Sequence, residues 1–171
     1  IQDAGGNNAT LTLVTPGDAG SLAANEALVV DTTLPTITNV TSSTNDGTYV
    51  AGQQISIQIT FSETVIVSGT PQLTLETGGS DAVVNFASGS ASNELTFTYT
   101  IGANENSADL DYASTSALAL NSGTIQDVGG NNATLTLASP GDAGSLGANK
   151  VLVVDTTGPS VTNVTSSTAN G

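Results

Sequence analysis

The side chains able to do chemistry in this chain are almost all carboxylates. Fifteen Asp and Glu residues stand against a single Lys, Lys150, with no Arg, no His and no Cys, for a net charge of −14. Without His or Cys the usual transition-metal ligands, thiol nucleophiles and disulfides are all missing, which leaves hard cations bound through oxygen. Carboxylate pairs could serve glycoside hydrolysis, but with so few partners for acid–base or nucleophilic work the chain reads as a non-enzyme. Nothing here can neutralise phosphates, so nucleic acid is excluded as a partner, and anionic membrane surfaces with it. No apolar run approaches the roughly 18 residues of a membrane span, so no membrane insertion is expected in this segment.

The carboxylates matter only where the fold gathers them, and the elements that must do so read as strands. Ile55, Ile57, Ile59 and Phe61 alternate with Ser56, Gln58 and Thr60, and Leu95, Phe97, Tyr99 and Ile101 alternate with threonines. That period of two marks half-buried strands. Strands are expected near 36–43, 54–62, 71–76, 82–87, 94–101, 117–126, 133–137 and 150–155, the last two either separate or one strand interrupted at the Pro140–Gly144 loop. Gly, Asn, Asp and Ser turns at short spacing point to an antiparallel β-sandwich. Helical periodicity is missing, with only Ser116–Leu120 open to either reading. The first strand runs from Asp31 to the Asn45-Asp46-Gly47 loop, and the second returns to end at Glu63. Two antiparallel strands therefore bring Glu63 back beside Asp31. Asp109 and Asp111 share one face if Asp109-Leu110-Asp111 is extended, which suits a cation or plain solvation.

The chain also repeats itself. Residues 1–47 return as residues 125–171 with 11 differences and no gap, a period of 124 residues. This is far longer than a solenoid repeat of 20 to 50 residues and suits whole domains in series. The shared Val-Asp-Thr-Thr-x-Pro at Val30–Pro35 and Val154–Pro159 is the natural boundary, since proline blocks a ladder and stiffens an extended linker. The expected organisation is the C-terminal part of one repeat (1–31), a complete repeat (32–155) and the N-terminal strand of the next (156–171), in a polypeptide that continues both ways. A unit of this size buries enough surface to fold without disulfides.

Val-Asp-Thr-Thr-x-Pro, the Thr/Ser-rich first strand, Ile59-Thr60-Phe61-Ser62-Glu63 and Ile125-Gln126-Asp127-Val128-Gly129-Gly130-Asn131 together resemble the bacterial Ig-like tandem repeats of very large surface and secreted proteins, including biofilm adhesins. The resemblance implies an Ig-like β-sandwich, an extracellular or cell-surface location, and a structural role as stalk or filament. It further implies calcium at the junctions. An Ig-like topology would place the Asp127–Asn132 turn at the same pole as Asp31 and Glu63, and Asp109 and Asp111 at the other pole beside Asp46 and Asp155. The expected Ca²⁺ ligands are therefore Asp31, Glu63 and Asp127 at one end, and Asp109, Asp111 and Asp155 at the other. Two bare carboxylates about 5 Å apart repel by about 3 kcal/mol at an effective dielectric near 20, and a divalent cation converts that repulsion into cohesion. Against this, Asp46, Asp127 and Asp142 are equally at home as turn residues that bond their own backbone.

The partners expected are neighbouring repeats of the same chain, with lateral self-association into fibres a second possibility. A carbohydrate- or ligand-binding surface module is the alternative function. Sugar sites stack rings on exposed aromatics, and alternation consigns Phe61, Phe97 and Tyr99 to the core, so that alternative rests on Tyr49 and Tyr112. A Lys–Asn crosslink would need Lys150, where the first copy has Glu26.

Overall fold

A computed structural model describes residues 1–168 and divides the chain into two units, Ile1–Thr32 and the residues from Thr33 onward. The final three residues of the expected 156–171 strand lie outside the described residues. The first unit contains one helical turn, α1 (Leu22–Asn25), and no ladder of strands. Ser21 caps that turn by accepting from the backbone N–H of Ala24 at 3.3 Å, as a short polar side chain does for the orphan donors of a first turn. Asp3 closes a second local structure, accepting from the N–H groups of Gly5 and Asn7, both at 2.9 Å.

The second unit is all-β apart from one further helical turn, and its strands follow the alternating segments. They are β1 (Ile37–Ser42), β2 (Gly47–Tyr49), β3 (Gln54–Ser68), β4 (Gln72–Leu75), β5 (Ala82–Ser88), β6 (Ser92–Thr100), β7 (Asn106–Ser107), β8 (Leu118–Ala119), β9 (Thr124–Gln126) and β10 (Leu152–Asp155), with α2 (Leu146–Asn149) before the last. One sheet runs β1-β3-β6-β5-β4-β8, with β9 also paired to β3; a smaller one runs β2-β10-β7. Among the described residues all pairings between these strands are antiparallel except β10 with β2, which is parallel.

Alternation decides what is buried. Along β3 Ile55, Ile57, Ile59 and Phe61 are buried, and along β6 Leu95, Phe97 and Tyr99, all at 1% exposure or less. Burying a side chain of this size is worth roughly 1.5–3 kcal/mol against leaving it in water, so the period-2 pattern fixes which face turns inward. Phe86 on β5 meets Phe97 edge-on, centroids 6.1 Å apart.

Three expectations need correction. The second strand does not stop at Glu63: it continues to Ser68, with a register shift between Thr60 and Val65, after which Val65 still pairs with Ser92 of β6 and Ile66–Ser68 pair with β9. Such an irregularity lets one strand serve two partners by bending. Residues 133–137 are not a strand but a segment held by single contacts, the Thr134 N–H donating to Pro35 O at 2.8 Å and the Leu137 N–H to Thr115 O at 2.9 Å. Residues 116–120, open to either reading, take the strand one, since Leu118–Ala119 pairs with β4; a helical turn, not expected from the sequence, falls instead at 146–149, capped by Ser145.

The second unit contains a body, residues 33–124, and a closing segment, residues 125–155, the part that recurs as 1–31, followed by the residues from 156 onward. The closing segment seals the body: Ile125, Leu137, Leu146, Leu152 and Val154 are all at 3% exposure or less. Their counterparts in the first unit, Ile1, Leu13, Leu22, Leu28 and Val30, are exposed by 68 to 91%. Near-identical sequence thus has opposite burial. The local devices survive in both places, because they need no tertiary partner.

Candidate metal centre

The pole at which the chain enters the second unit is built by register. Ile37 lies opposite Phe61, and the Ser62 N–H donates to Thr36 O at 2.8 Å, so Pro35 comes level with Glu63. Beyond the bend, Ile66 pairs with Gln126, which sets Asp127 opposite Val65 and two residues from Glu63. The approach of β9 to β3 depends on Gly69 and Gly123. A methyl group on Gly69 would lie 2.8 Å from the Gly123 Cα, and Gly69 has φ +70°, a conformation open to glycine. Glu63 and Asp127 thereby offer carboxylate oxygens within 4.8 Å of each other.

Asp127 is buried and organises its own turn. One carboxylate oxygen accepts from the Asn131 N–H at 2.8 Å and the other from the Asn131 side-chain amide at 2.7 Å. These bonds, the side-chain one foremost, hold its carboxyl below the usual carboxylate range. Asp3 does the same in the first unit, with Asn7 at 2.9 Å and 2.8 Å, and its carboxyl is lowered for the same reason. Asp127 is therefore a turn residue, and it is one that also lies close to Glu63. Glu63 itself is half-buried, and Asp31 is exposed within the first unit.

The other three expected ligands are not assembled into a metal site among the described residues. Asp111 is buried and consumed by backbone: one oxygen accepts from the Tyr112 N–H and the other from the Gly141 N–H, each at 2.9 Å. Those bonds fix the Asp111 carboxylate on its loop, and among the described residues it belongs to no group of three acids close enough to share an ion. Asp109 is exposed and belongs to no group of three acids close enough to share an ion among the described residues. Asp155 is exposed and caps the Thr157 N–H at 2.9 Å. Asp46, read as a turn residue, accepts from the Val151 N–H at 3.2 Å and pairs with Lys150 Nζ at 3.0 Å. That pairing lowers the Asp46 carboxyl, with the Lys150 hydrogen bond as the first cause.

The aromatic candidates for sugar binding fare differently from expectation. Tyr112 is fully buried, its hydroxyl donating to Ala138 O at 2.7 Å. Tyr49 is half-buried, with its hydroxyl donating to Asn45 O at 2.6 Å. Tyr112 stands outside any alternating run, so nothing in its neighbourhood signals burial; the loop at 138–141 folding over it is a long-range event with no local signature. The same is true of Asp111, whose role depends on Gly141, 30 residues away.

Comparison with protein-family models, with curated proteins and with solved structures returned no match.

Proposed function

We propose that this chain is part of an extracellular structural stalk or filament built from tandem Ig-like β-sandwich repeats of 124 residues, with Ca²⁺ as the ion that stiffens the passage from one repeat to the next. The observation that carries the structural reading is the pair of near-identical 47-residue stretches, one closing a body and the other exposing the same apolar side chains. A segment that is stable only against a body of its own kind is what an array of like domains supplies. The chemistry of the surface agrees: 15 acids, one Lys and no His or Cys leave little but cation binding for the carboxylates.

For the ion, Glu63 and Asp127 of the second unit are the proposed ligands. Ligand oxygens on one Ca²⁺, each about 2.3–2.6 Å from it, lie no more than about 5 Å apart, and the Glu63 and Asp127 oxygens, within 4.8 Å of each other, meet that limit. Two carboxylates supply up to four of the six to eight oxygens Ca²⁺ takes, with backbone carbonyls and water for the rest. The donor set, all hard oxygen, fits Ca²⁺ or Mg²⁺ and not a soft metal.

The test is calcium titration of the 171-residue chain by calorimetry, with the unfolding midpoint followed in Ca²⁺ and in EDTA. Millimolar Ca²⁺ is expected to raise the midpoint, and Glu63→Gln to remove the rise. A midpoint indifferent to both Ca²⁺ and EDTA defeats the calcium reading and leaves the structural one standing. Conversion of the chain to a monomeric, single-unit species under all conditions, with no gain on adding a second repeat, defeats the structural one.

A further inference from the structure

Two near-identical closing segments in one chain pose a recognition problem, because the body that accepts residues 125–155 offers the same apolar seats to residues 1–31. The first segment presents the apolar side chains for it: Leu13, Leu22 and Leu28 are exposed around an open hollow of about 870 Å³. The two segments differ at six positions between 1 and 31, and two of those fall where the closing segment touches charged groups of the body.

The first is Gly147, whose counterpart is Ala23. A methyl group on Gly147 would stand 2.9 Å from one Asp111 carboxylate oxygen and 3.5 Å from its carboxyl carbon. That carboxylate has no freedom to yield. It is buried, and its two oxygens are held by the N–H groups of Tyr112 and Gly141. In a helical turn alanine is intrinsically favoured over glycine, so glycine here answers to the neighbour and not to the helix. The second is Lys150, whose counterpart is Glu26. Lys150 is largely buried, at 18% side-chain exposure, and its ammonium meets Asp46 at 3.0 Å. A glutamate in that seat would set a carboxylate against Asp46.

We propose that Asp46 and Asp111 of the body, with Gly147 and Lys150 of the closing segment, form a recognition code that keeps residues 125–155 on their own body and rejects the otherwise equivalent residues 1–31. The partner that residues 1–31 fit is a body of the same fold with room for a methyl group at the place of Asp111 and no negative charge at the place of Asp46. The following copy is already neutral at that place, with Asn170 where this body has Asp46. Both mismatches act by the same logic: selectivity among nearly identical partners comes from clashes and like charges set against the wrong one. Calcium plays no part in the code.

The code can be exchanged. The chain has no cysteine, and Val153 pairs with Thr48 across the β10–β2 ladder, so a Thr48→Cys/Val29→Cys chain forms a disulfide only when residues 1–31 take the closing seat. Thr48→Cys/Val153→Cys is the control for the native arrangement. After refolding from denaturant, the chain with exchanged code (A23G, E26K, G147A and K150E together) is expected to form the disulfide between positions 29 and 48 about tenfold more than the native code does, the factor that one displaced buried hydrogen-bonding partner commands. G147A with K150E, in the cysteine-free chain, is expected to lower the unfolding midpoint, whereas A23G with E26K leaves it unchanged. The cost of G147A is expected to vanish when Asp111→Ser removes the obstructing carboxylate. Equal crosslinking in the two backgrounds, high or absent, overturns the proposal, and so does a G147A cost that persists beside Ser at position 111.

Discussion

Leu146 and Leu22 occupy the same place in two copies of one sequence, and replacing each by alanine should have very unequal effects. Leu146 is fully buried, while Leu22 is 68% exposed. Truncating a buried leucine loses its transfer energy and leaves a cavity, together about 2–5 kcal/mol. Ser145 already fixes the start of α2 and the side chain is completely enclosed, so a middle value of about 3 kcal/mol is reasonable. With a urea slope of about 2 kcal/mol/M, the second unit of Leu146→Ala should unfold about 1.5 M earlier than the parent. The same change at Leu22 removes a side chain already in water and should move the midpoint by less than about 0.3 M, within the usual range for surface substitutions. Urea melts followed by tyrosine fluorescence read the second unit directly, since Tyr49, Tyr99 and Tyr112 all lie in it. A Leu22→Ala shift equal to that of Leu146→Ala would mean that the first copy is docked as the second is, and would refute the opposite burial of the two copies.

The remaining predictions concern titrating groups. Burial, then the charges of Asp111 and Asp142, push the Tyr112 hydroxyl up to about 12, so its contribution is complete below the unfolded value near 10 and is lost as pH rises through about 12. Tyr112→Phe should flatten that alkaline loss in denaturant melts above about pH 10, with Tyr99, raised by burial and by Glu105, supplying the remainder; an unchanged alkaline limb would refute the assignment. Asp127 has the opposite sign. Its lowered carboxyl stabilises the fold above the unfolded value of about 4 and loses that effect as pH falls through the folded one. Asp127→Asn should therefore cost stability at neutral pH and little at about pH 2, while Asp3→Asn leaves the second unit's melt unmoved; a cost independent of pH would point to packing and not charge.

The core was legible wherever alternation was long. β3 and β6 show their inward faces without any tertiary information, because burial of one face is what a period of two encodes. Register from two antiparallel strands was enough to return Glu63 to the pole where the chain enters. What escaped was decided at long range. β3 runs on past Glu63 because β9, some sixty residues later, supplies a partner for Ile66, Val67 and Ser68. Residues 133–137 alternate like a strand, yet Leu135 and Leu137 face inward beside a segment that pairs only at Thr134. Asp111 and Tyr112 looked like surface chemistry because each is polar and lies outside a regular strand pattern. Both are sealed by the loop at 138–147, which only the folded chain brings over them.

The two copies also act as each other's control for the proposed metal site. Asp3 and Asp127 form the same turn with the same Asn at the same distances, to within about 0.1 Å, although only one of them lies in a packed body. The turn, and the lowered carboxyl that goes with it, therefore come from local hydrogen bonds and are no sign of an ion. Removing Asp127 would break that turn whether or not calcium binds, so loss of stability in such a variant cannot separate the two roles. Glu63 belongs to β3, at its bend, and is brought near Asp127 by the register of β3 and β9. Glu63→Gln keeps the side chain's length while it removes one charge. A calcium response that survives in Glu63→Gln but disappears in Asp127→Asn would belong to the turn alone, and one lost in both would require the two carboxylates to act together.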